Sequence, residues 1–140
     1  MSIKRTRALT WLACAGLLVI MIGAPGGAEA KELSEKSVKV LMKYAWVILP
    51  TKFTAPTGKV IQVDKSKKKE NMVPLNEARQ IIKVARLSAH AQICNLPQAQ
   101  AANYRTLMKS EGDSKNWTDQ QMLYISQLHL FTVMWLTGNV

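Results

Sequence analysis

Apolar residues return at helical spacing in four stretches of this chain, each bounded by residues that start or stop a helix. In the first, 33–49, Val38, Leu41, Met42, Ala45 and Leu49 share a face while Lys36, Lys39 and Lys43 take the wet side. Ser34 stands where an N-cap is wanted and Pro50 ends the run. The tail Trp46-Val47-Ile48-Leu49 is β-branched and aromatic, so a strand is its competing state. The second stretch opens at Pro74 or Leu75 and carries Ala78, Ile81, Ile82, Ala85, Ala89 and Ile93 as one stripe, before Asn95-Leu96-Pro97 breaks and restarts the chain. The third, 97–110, has Ala101, Tyr104, Leu107 and Met108 as inner positions, with turn chemistry at Glu111-Gly112-Asp113-Ser114.

The fourth stretch begins with a capping box, Thr118 at N-cap and Gln121 three residues on, and stops at Gly138. Tyr124, Ile125, Leu128, Phe131, Thr132 and Trp135 form one face, and Leu123, Leu130, Val133 and Met134 cover the other. A helix apolar on both sides is buried on both sides, which makes 118–137 the centre of the bundle or, alternatively, the surface of a homodimer. The run from Leu128 to Leu136 is too short to span a bilayer.

Between the first two helices, residues 50–73 are punctuated by Pro50, Pro56 and Gly58. Thr51–Thr54 and Lys59–Val63 flank Ala55-Pro56-Thr57-Gly58 as a short hairpin, with Phe53, Ile61 or Val63 expected to lean on the helices. Lys65, Lys67, Lys68 and Lys69 then read as a solvated, mobile loop. The expected fold is therefore mainly all-α: a small bundle of about four helices with an irregular or β-hairpin insertion at 50–73.

Composition adds a segment that periodicity does not. Lys4, Arg5 and Arg7 precede Ala8–Ala24, where Cys14 is the one ionisable side chain, and Pro25, Gly26 and Gly27 lead to Ala28-Glu29-Ala30. This is the tripartite pattern of a cleaved signal peptide, residues 1–30, with the cut after Ala30. The expectation is export to a bacterial periplasm or secretion, with the membrane touched through the signal segment before cleavage; an uncleaved anchor is the alternative. Cys14 fits a lipoprotein signal poorly, because most of the apolar run follows it. Of 140 residues, the remaining 31–140 form a single small domain, and losing Lys4, Arg5, Arg7 and Glu29 takes the formal charge from +10 to about +8.

Candidate chemistry is sparse. The chain has no Gly-x-Ser-x-Gly elbow and no His-Glu-x-x-His, and Pro56-Thr57-Gly58-Lys59-Val60 lacks the upstream Gly and the Ser/Thr of a phosphate loop. Glu77 and Asp119 sit where a helix N-terminus favours an acid. Without a reactive constellation, a non-enzymatic protein with no cofactor is expected. His90 and Cys94, spaced i, i+4, could hold a metal with His129 and a methionine among Met108, Met122 and Met134; the simpler reading makes Cys94 a small buried hydrophobe and His90 a surface residue. Cys94 is the one thiol of 31–140, so an intrachain disulfide there is excluded.

The charge is the feature most open to function. Lys52, Lys59, Lys65, Lys67, Lys68 and Lys69 are expected to form a cationic finger for anionic envelope components, with a protein partner as the other use. Export and the lack of an aromatic-basic platform argue against nucleic acid. Asn116-Trp117-Thr118 matches a glycosylation triplet, but Thr118 is already committed as an N-cap. The expectation is an exported protein that works by contact, and the alternative is a periplasmic metal-handling or thiol-redox-responsive protein using His90, Cys94 and His129.

Overall fold

The computed structural model describes residues 32–140; the signal-peptide reading of 1–30 lies outside the described residues. The element order is α1 (Glu35–Ile48), β1 (Lys52–Thr54), β2 (Val60–Gln62), α2 (Lys68–Asn71), α3 (Leu75–Ile93), α4 (Pro97–Ser114) and α5 (Asp119–Leu136). The protein is mainly helical, with five helices and a two-stranded hairpin among the described residues.

The helix ends form where local chemistry provides for them. Ser34 Oγ accepts the Ser37 N–H at the start of α1, and the capping box at Thr118 and Gln121 is made in both directions. Asn95, at φ 54°, closes α3 with paired bonds from Asn95 N–H to Gln92 C=O and Leu96 N–H to Ala91 C=O. Gly138, at φ 73°, lets Asn139 N–H reach Met134 C=O in the same way at the end of α5. Trp46, Val47 and Ile48 stay helical despite their strand propensity, because the inner face of α1 continues through buried Trp46 to Leu49.

α5 is the centre. It packs against α1, α3, α4, α2 and β2, and Tyr124, Ile125, Leu128 and Thr132 on it are completely buried. The elements around α5 cover both of its apolar sides, leaving Leu130, Trp135 and Leu136 as its exposed large apolar residues. α3 and α4 form an antiparallel hairpin, tied at one end by Gln100 Nε2 donating to Gln92 and at the other by Lys115 to Glu77. α4 and α5 are likewise antiparallel, with Tyr104 meeting Ser126 and Gly112 lying beside Met122. The main core joins α1, α3 and α5, with Val63, Val73 and Leu107 at its rim; Ala85, Ala89 and Val133 make a smaller cluster.

Three sequence expectations of the fold change. The lysine run is not a mobile loop: it contains the one-turn helix α2 and is pinned on both sides. Asp64 N–H donates to Gln120 Oε1, Asn71 Nδ2 donates to Asp64 C=O, and Gln121 Nε2 donates to Glu70 C=O. The third helix runs through Glu111–Ser114, because the Glu111 carboxylate is buried and accepts from Trp117 Nε1 at 2.8 Å, which outweighs local turn composition. Ala101 and Tyr104 are exposed rather than inner, since α4 lies at the edge of the bundle and buries Leu107 and Glu111, and Ile93 is exposed at the end of α3, where residues 92–99 all lie at the surface. Of the hairpin residues, Val63 is buried, Ile61 is half-buried and Phe53 stays exposed.

Candidate functional site

The six lysines of the expected finger have different fates. Lys65 leaves it. Its Nζ donates to the Trp46 carbonyl at 2.6 Å and stands 4.7 Å from the centre of the Trp46 ring. Trp46 lies in the last turn of α1, which has no basic residue of its own, so Lys65 supplies from a distant loop the cation that a helix C-terminus favours. Burial pulls the Lys65 ammonium below the ordinary lysine range.

Lys59 pairs with Asp119, at 2.8 and 2.7 Å to its two carboxylate oxygens, and so bridges the hairpin to the first residue of α5. Lys67 faces Glu70 at 3.9 Å. Lys52, Lys68 and Lys69 are exposed and make no ion pair among the described residues. Asp64 turns inward to its own loop: its carboxylate accepts from the Ser66 hydroxyl at 2.6 Å and the Ser66 N–H at 2.9 Å, which lowers its pKa.

His90, Cys94 and His129 are not brought together as a ligand set. Among the described residues no group of three or more His, Cys, Asp or Glu is placed to hold a metal ion. His129 is buried on α5, with Nε2 3.0 Å from Ser88 Oγ, and Tyr104 lies against its ring. Burial lowers its pKa to about 4, so it is neutral at pH 7. His90 is exposed in the last turn of α3. Cys94 is also exposed, a correction to its expected burial: it is the C-cap residue of α3, within a stretch, 92–99, that lies entirely at the surface.

Two further polar groups hold the fold. Tyr124 Oη donates to the Met42 carbonyl at 3.1 Å inside the core, and burial raises its pKa. Lys115 joins Glu77 and Glu111; its hydrogen bond to Glu77 leads the effects that raise its pKa. That cluster ties the starts of α3 and of the α4–α5 connection together.

The surface that sequence reasoning missed is on α1. Val40, Tyr44, Val47 and Ile48 all face outward, opposite the buried set, with Val47 63 % and Tyr44 53 % exposed. Their spacing, i, i+4, i+7 and i+8, is itself a helical stripe, but the helix had already been given an apolar face. Lys36, Lys39 and Lys43 run beside it, all exposed, and Lys39 pairs with Glu35 at 2.5 Å. The Tyr44 ring stacks on Phe131 of α5 at 5.8 Å, and Trp135 follows one turn beyond Phe131, 47 % exposed.

No family model matches the chain, and neither a curated protein nor a solved structure does so. Among the described residues no helix is long and apolar enough to cross a membrane.

Proposed function

We propose that this is an exported, non-enzymatic protein of a bacterial envelope that works by contact with anionic surfaces. The observation that carries the reading is the exposure of Lys52, Lys68 and Lys69 without an ion pair among the described residues, on a hairpin joined to α5 by Lys59–Asp119 and a short helix joined to it by Gln121 and the Glu70 carbonyl. Cations on an ordered scaffold keep their charge available to an outside partner, because no local acid neutralises them. Lys59 and Lys67 are paired with Asp119 and Glu70, and Lys65 is taken by its bond to the Trp46 carbonyl. The test is co-sedimentation with phosphatidylglycerol vesicles across a salt series. Replacing Lys52, Lys68 and Lys69 by Gln is expected to weaken binding by about 1 kcal/mol per lysine at low salt and to flatten the salt dependence. Unchanged sedimentation would remove these lysines from the contact.

A further inference from the structure

α1 has two apolar faces and the bundle uses one. Val38, Leu41, Met42, Ala45, Trp46 and Leu49 are buried against α3 and α5, while Val40, Tyr44, Val47 and Ile48 form a second stripe facing outward. Exposed apolar residues scattered singly need no account, but a stripe on one helix face, continued by the Tyr44–Phe131 stack, is the pattern of a surface with a partner.

The charge beside it selects that partner. α1 carries three lysines on its exposed side, Lys36, Lys39 and Lys43, and one acid, Glu35, which is already bonded to Lys39. In an isologous pair of copies the patch meets itself, so lysines would face lysines with no free acid on α1 to separate them. An anionic bilayer instead offers headgroup phosphates to the lysines and a hydrocarbon boundary to the stripe, and lysine stems lie along apolar surface while their ammonium groups reach outward. Tyr44 and Trp135 have the amphipathic rings that settle at that boundary.

We infer that the outward face of α1 is a lipid-contacting surface, lying in the plane of an anionic membrane with Val40, Tyr44 and Val47 in the headgroup region and Lys36, Lys39 and Lys43 on the phosphates. This rests on the reading that anionic envelope surfaces are the partner, but it uses a different part of the molecule from Lys52, Lys68 and Lys69.

The test places an environment-sensitive fluorophore on Val47→Cys in the exported chain, residues 31–140, with Cys94→Ser so that the new thiol alone is labelled. A second chain carries the label at Gln98→Cys, an exposed position on α4. With vesicles of phosphatidylglycerol and phosphatidylcholine, the label at 47 is expected to shift to the blue and brighten several-fold while the label at 98 stays as in water. Pure phosphatidylcholine should leave both unchanged. Replacing Lys36, Lys39 and Lys43 by Gln should raise the lipid concentration for half-maximal response on the order of a hundredfold at low salt. A label at 47 that stays in water while the protein sediments would overturn the inference and leave the Lys52, Lys68 and Lys69 contact standing. An equal shift on neutral lipid, or a shift without vesicles that grows with protein concentration, would overturn it in favour of an uncharged surface or a second copy. Absence of sedimentation altogether would remove both contacts.

Discussion

α1 and α5 are both apolar on two sides, and the bundle treats them differently. α5 has neighbours on both of its apolar sides and is enclosed along most of its length, with Leu128 completely buried and Leu130, Trp135 and Leu136 left exposed. α1 is covered on one side, and Val40, Tyr44, Val47 and Ile48 remain outside. The same sequence property thus has two meanings, separated by how many neighbours reach the helix. Where the fold provides cover, the second face is core; where it does not, the second face is free to meet something else. The lysines sharpen the contrast: α5 has none, whereas α1 sets three along its open stripe.

The largest expected effect is on stability. Leu128→Ala should cost about 2–5 kcal/mol, because the cavity lies at the centre of the bundle. Val47→Ser should stay within about 0.5 kcal/mol, as for an ordinary surface substitution. Urea unfolding of the two variants measures the difference directly. Similar losses would mean that the outer face of α1 is packed and not open.

A second effect sharpens the enclosure of α5 through pH. Burial holds His129 at about 4 in the folded protein, below its ordinary 6.5, so between these values the unfolded chain binds a proton that the folded chain refuses. This contribution is complete above about pH 6.5 and is lost as the pH falls toward 4, on the order of 3 kcal/mol at most. Comparing urea midpoints at pH 7 and pH 4.5, the natural chain should lose more stability than His129→Gln, which keeps a polar partner for Ser88. Equal losses would mean that His129 is open to water.

Most of the helical architecture could be read from the chain because its signals are local: the Thr118–Gln121 capping box, the Asn95 reversal and the Ala78–Ala89 stripe all formed as their spacing predicts. What escaped depends on distance. Four lysines close in sequence look alike until the Trp46 carbonyl, 19 residues before Lys65, takes one of them. Glu111 reads as turn until Trp117 and Lys115 reach it. A free thiol is usually buried, but Cys94 stands at the end of α3, where no other element covers residues 92–99. The open face of α1 was missed for a different reason. Its residues were in view, but only the course of the other helices decides which of two apolar faces is used.

The most direct measurement is oxidative footprinting of the two tyrosines of this comparison, Tyr44 on α1 and Tyr124 on α5, with and without phosphatidylglycerol vesicles. In solution Tyr44 should be oxidised readily and Tyr124, completely buried, should be protected. With anionic vesicles Tyr44 should become protected too, while exposed Tyr104 on α4 keeps its reactivity. Tyr44 already protected without lipid, or equally reactive with and without it, would contradict the account.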